Sequence, residues 1–162
     1  MPAYVALLRA VNVGGTGKLP MSQLKAACAA EGYTNVQTYI ASGNVVFASK
    51  HAEAKVKTAL ETSLGVRVFV RTAAGMAAIL QANPFLKAAP NRVIVFFLDG
   101  APGSLEGITG QKNEELRPGK REIFVHYPDG QGQSKLKIPA GADGTGRNMN
   151  TVAKLAEMAA KL

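Results

Sequence analysis

Residues able to hold an anion stand where the apolar runs of this 162-residue chain end. The first group lies in the stretch YVALLRAVNVGGTGKL at 4–19. Arg9 closes an apolar run, Asn12 follows, and Gly14, Gly15 and Gly17 lead into Lys18. Glycine amides near a helix start, with a lysine beside them, can cradle an anion. A nucleotide-triphosphate loop is a stricter pattern. It needs a glycine five residues before the Gly-Lys pair and Ser or Thr directly after the lysine. Asn12 and Leu19 occupy those places, so the standard magnesium ligand is missing and the weaker anion-cradle reading is kept.

The second group is GTGRNMNT at 144–151, where a helix is expected to begin. Free amides and the positive end of the helix dipole favour an anion there. Arg147 adds a fork-shaped donor. Asn148, Asn150 and Thr151 are all capping types, although one helix start needs only one cap. Asn150 and Lys154 lie four apart and share a face. Ser42 and Asn44 in an expected hairpin turn, and Arg71 at a strand end, complete the candidate ligand-binding set. The plain reading of each group is a turn or a cap that also confers solubility.

A third group could carry protons. Tyr127, Asp129, Ser134 and Lys135 surround one expected hairpin loop, with His126 just before it. Ser134 and Lys135 are neighbours on an expected strand, so their side chains should point to opposite faces. That geometry disfavours a Ser-Lys nucleophile pair. His126 has no acid or nucleophile partner evident in the sequence.

Nineteen Lys and Arg against eleven Asp and Glu give a net charge of +8. Such a balance favours nucleic acid, phosphorylated small molecules or acidic lipid as partners. Composition is globular, with 47% hydrophobic and 19% charged residues. The single cysteine, Cys28, excludes an intramolecular disulfide and fits a reducing compartment. Two histidines and one cysteine supply no zinc ligand set, and neither metal nor cofactor is expected. No signal-peptide pattern or membrane-length apolar run is present, so the protein is expected in the cytoplasm without a membrane partner.

The elements that position these residues follow from periodicity. Strands are expected at 3–11, 36–40, 44–48 and 66–71. Helices are expected at 20–30, from Ser49 as cap to Gly65, and from Thr72 to Asn83-Pro84. The order β-α-β-β-α-β is that of a ferredoxin-like antiparallel sandwich, two helices on one face and the other face free. Strand three, NVVFA, lacks the basic-aromatic consensus of an RNA-recognition module. The second half reads as a strand at 92–98, a poor helix within 104–116, and a hairpin of 122–127 with 134–138. A glycine-rich loop at 139–146 and a helix from about Asn150 to Lys161 follow. The expected fold class is α+β, a ferredoxin-like half at 1–83 with a second β-α-β-β-α half at 84–162 packed on it. That second half repeats the opening order of the first about 90 residues later.

Several segments, taken together, resemble a known family. They are YVALLRAVNVGGTGKLPMSQL, the TYIASGNVVF hairpin, VRT followed by a helix and NPF, REIFVHYPDGQGQSKL, and GTGRNMNTVAKL. In this order they resemble the bacterial family called domain of unknown function 1697 over nearly the whole chain. The resemblance implies a small cytoplasmic α+β protein and no particular activity. Met149 stands where the family favours an aromatic.

These readings converge on a protein that binds an anionic ligand, either a nucleotide-like small molecule or nucleic acid. One alternative is an enzyme on a phosphorylated or acyl substrate, with Tyr127, Ser134 or His126 as proton carrier. Another is a homodimer formed across the open sheet face. A monomer or a homodimer is compatible with the sequence.

Overall fold

The computed structural model describes residues 2–9, 20–39 and 43–162. The chain divides into two compact units, Met1–Ala77 with Lys154–Leu162, and Ala78–Ala153. The fold class is α+β, with two antiparallel four-stranded sheets and four α-helices among the described residues. No helix among them is long and apolar enough to cross a membrane.

In the first unit, β1 (Ala3–Leu8), β2 (Thr34–Tyr39), β3 (Asn44–Ala48) and β4 (Val68–Thr72) form a sheet of order β2-β3-β1-β4. β1 and β2 both run antiparallel to β3, so they are parallel to each other with β3 between them. That is the split β-α-β arrangement. Period-two alternation sends Tyr4, Ala6, Leu8, Val45, Phe47, Val68 and Val70 to one face. Helices α1 (Met21–Ala30) and α2 (Glu53–Leu64) cover it with Leu24, Cys28, Val56 and Leu60. Gly65, left-handed at φ 69°, ends α2 with its amide on the Glu61 carbonyl. Thr72 caps α3 (Ala73–Ala82) as expected, its hydroxyl accepting from the Gly75 amide at 2.9 Å.

Three expectations need correction here. Pro20 is the N-cap of α1, one residue ahead of the helix. Ser49 does not cap α2, which begins after Ala52; its hydroxyl accepts from the His51 amide. The second sheet face is not free, because Val5, Leu7, Val46 and Phe69 on it are at most 1% exposed.

In the second unit, β5 (Val93–Phe97), β6 (Glu115–Pro118), β7 (Glu122–His126) and β8 (Thr145–Asn148) form a sheet of order β6-β7-β5-β8. Matched first to fourth, this is the strand order of the first sheet. Helix α4 (Met149–Ala160) follows β8 as α3 follows β4. The connections differ. Where the first unit has α1 and α2, the second has irregular chain with short 3-10 turns at Gln131–Gln133 and Pro139–Gly141.

The helix expected within 104–116 does not form. Gly103, Gly107 and Gly110 all take positive φ, which breaks a right-handed helix. β7 pairs with β6 across the tight Pro118–Glu122 turn, and residues 134–138 join no ladder beyond one bridge from Lys137 to Thr109. β8 replaces part of the expected glycine loop. The second half therefore reads β-β-β-β-α.

One stability prediction follows from the first core. Phe47 is fully buried and its ring stacks on Tyr33 at 4.4 Å between centroids. Phe47→Ala is expected to cost about 3–5 kcal/mol, read from chemical denaturation of the variant against the wild type.

Candidate functional site

Alternation sets the chemistry of the second sheet. Ile94, Phe96, Ile123, Val125 and Tyr127 share one face, since Ile94 lies opposite Val125 and Phe96 opposite Ile123. An apolar sheet face must be covered. Here Leu105, Leu136, Ile138 and Ala140 from the irregular connections do so, and all four are only partly buried. The cover is incomplete, and two cavities open in it.

The first is about 450 Å³ and is lined by Lys112, Asn113, Glu114, Tyr127, Asp129, Ser134 and Lys135 among others. Glu114, only 6% exposed, is the hub of its wall. The Lys112 amide donates to Glu114 Oε1 at 2.7 Å. The Ser134 hydroxyl donates to Oε2, and the same hydroxyl accepts from the Leu136 amide at 3.1 Å. Gln111 Nε2 donates to the Glu114 carbonyl, and Asn113 Nδ2 donates to Asp129 Oδ2 at 2.9 Å. Gly110 makes this approach achievable. Its φ is +72°, and a Cβ there would collide with the Lys135 carbonyl. The second cavity, about 340 Å³, is lined by Phe96, Leu136 and Ile138, and it shares Tyr127 and Ser134 with the first.

The Ser134 hydroxyl, and after it the Lys112 amide, holds the Glu114 carboxyl below its ordinary value of 4.5. Burial, and then the Glu114 charge, pushes the Tyr127 phenol up to about 12. Near neutral pH Glu114 is a carboxylate with its proton acceptors engaged, and Tyr127 keeps its proton. His126 stacks at an angle on Phe85, 5.6 Å between centroids, and does not line either cavity. Ser134 and Lys135 both line the first cavity. The opposite-faces argument fails for them because their segment is not a strand.

The candidate anion-binding residues fall elsewhere. Asn12, Gly14, Gly15, Lys18 and Ser42 lie outside the described residues. Arg9 follows β1, its amide donating to the Arg67 carbonyl at 2.9 Å. Asn44 and Arg71 flank β1 opposite Leu7 and Val5, and both are buried. Asn44 Nδ2 donates to the Tyr39 carbonyl, and Arg71 Nη1 to the Val70 carbonyl. Arg147 lies opposite Val95, on the sheet face away from Phe96. Its Nη1 donates to Thr145 Oγ1 and the Gly146 carbonyl, and burial brings its pKa down to about 10. Asn148 is the cap of α4, accepting from the Thr151 amide at 2.9 Å. Asn150 is exposed in the first turn, and Lys154 pairs with Glu157 at 3.6 Å. None of the described members of that set lines either cavity. Lys112 and Glu114 were missed by sequence reasoning. The signal available was the run of glycines at 103, 107 and 110, which marks close loop packing where a helix was expected. Among the described residues no cluster of His, Cys, Asp and Glu could hold a metal.

Comparison with known proteins bears on the fold. The family described as protein of unknown function (DUF1697) matches residues 1–124. The conserved bacterial protein SP0830 from Streptococcus pneumoniae has a similar structure, with a TM-score of 0.79, 26% sequence identity and 98% of each chain covered. Among curated proteins, none matches the chain significantly.

A pH dependence follows from Glu114. Its folded pKa is depressed, so the unfolded chain takes up this proton more readily. The stability it contributes is present above 4.5 and is lost as pH falls through the lower folded value. Urea midpoints measured between about pH 3 and 6 should fall with acid in the wild type, and less so in Glu114→Gln.

Proposed function

The chain belongs to that family of proteins of unknown function, and from its own geometry we propose that it binds a small anionic molecule, nucleotide-like in class, in the polar cavity of the second unit. One observation carries the reading. Lys112 and Lys135, both exposed, are among the residues that line the cavity, and neither makes an ion pair among the described residues. The carboxylates beside them, Glu114 and Asp129, already accept hydrogen bonds from their own chain. Two uncommitted cations in a concave site of this size suit an anionic group on a ligand. The same reading puts the protein in the cytoplasm, in keeping with its one cysteine, Cys28, which is buried and unpaired.

A thermal-shift titration with nucleoside monophosphates and inorganic pyrophosphate tests this. A panel member present at 100 times its dissociation constant should add about 2.7 kcal/mol of stability. The double variant Lys112→Ala/Lys135→Ala, checked for wild-type circular dichroism, should lose that gain. No shift from any panel member, or equal shifts in the double variant, contradicts the proposal.

A second reading rests on where the charge sits. The first unit holds ten Lys and Arg against four Asp and Glu, a net +6, and the second holds nine against seven, a net +2. A basic unit of this kind favours nucleic acid. Fluorescence anisotropy with labelled single-stranded RNA should then show binding that weakens with salt on a slope of several phosphate contacts. Absence of binding at low salt removes this class.

A further inference from the structure

Resting on that reading, we infer that the ligand is an amphiphilic anion, with its charged group in the Lys112–Lys135 cavity and an aromatic or acyl body against Phe96, Leu136 and Ile138 in the adjoining uncharged cavity. The two cavities share Tyr127 and Ser134 and so lie on either side of one wall. Tyr127 is 4% exposed and belongs to the core cluster of this sheet face, which makes that wall rigid. The second cavity differs from the first in charge, not in polarity, since Gln131, Ser134 and Tyr127 line it beside its apolar residues. Phe96, Leu136 and Ile138 line it, and no lysine, arginine, aspartate or glutamate does.

These three side chains are only partly buried, although they pack on a fully formed core. Apolar surface left half-covered gains free energy when an apolar group removes it from water. Phe96 has room for its ring because the residue beside it carries no side chain. A Cβ on Gly146, directly across the ladder, would come within 3.1 Å of its ring edge. The volume of about 340 Å³ suits one aromatic ring system or a short acyl chain rather than a whole lipid. A bare inorganic anion would fill the polar cavity and leave this one empty.

The experiment uses a homologous series of probes on the full chain, namely methyl, butyl and hexyl phosphate and phenyl phosphate, titrated calorimetrically. Affinity should rise about fourfold per methylene, the equivalent of about 0.8 kcal/mol, until the cavity is full. Phenyl phosphate should bind more tightly than methyl phosphate. Ile138→Asn should abolish the dependence on chain length; Ile138→Ala, a milder change, should reduce it if the first variant fails to fold. Lys112→Ala/Lys135→Ala should weaken every probe alike.

The outcomes separate the two claims. Methyl phosphate binding that needs the lysines, with no dependence on chain length, overturns this inference and leaves the anion site standing. Chain-length dependence that survives both Ile138 variants places the apolar body elsewhere and also overturns it. No binding by any probe removes the anion site and the inference together.

Discussion

The carboxylate of Glu114 ties together the two irregular segments that cover the second sheet. It accepts the Lys112 amide on one oxygen and the Ser134 hydroxyl on the other, so residues 110–114 and 134–136 are held side by side. A carboxylate packed between loops is costly to hold without such partners. With them it becomes the fixed point from which the cavity wall is built. Gly110 is the steric condition for this contact, because only a residue without Cβ fits against the Lys135 carbonyl at that backbone angle.

The comparison of the two units explains why a cleft occurs in one of them. Both sheets have the same strand order, and both have a helix after the fourth strand. In the first unit α1 and α2 lay continuous apolar stripes over the sheet, and the cluster they form holds fully buried side chains such as Leu24 and Leu60. In the second, irregular chain supplies scattered apolar residues, none of them fully buried. Helices close-pack a sheet face, whereas loops leave gaps. The gaps lie beside Tyr127, whose burial keeps it protonated, and beside lysines that make no ion pair among the described residues. That combination supports binding of an anion more directly than proton transfer.

Much of the first unit was legible in its sequence. Val56, Leu60 and Leu64 recur at helical spacing, Gly65 stops the helix, and NVVFA is a strand with the expected bounds. Thr72 was recognisable as a cap because a short apolar helix follows it at once. The second unit was less legible for physical reasons. Residues 134–138 alternate like a strand, and Leu136 and Ile138 do pack inward, yet their backbone lies outside the ladder. Alternation records which side chains are buried, not whether the amides find a neighbouring strand. β8 was hidden because Gly146 has no side chain to mark its face. The cleft itself brings Lys112 and Glu114 to Ser134 across about 20 residues of sequence, a contact that no local pattern encodes.

The central claim is that one cleft on the second sheet takes an amphiphilic anion. The most direct measurement is a two-dimensional amide NMR titration with phenyl phosphate. The account predicts saturable shifts concentrated at Lys112, Glu114, Ser134 and Lys135 for the head, and at Phe96, Leu136 and Ile138 for the ring. Shifts confined to the first unit, or spread over exposed lysines without saturation, would contradict it.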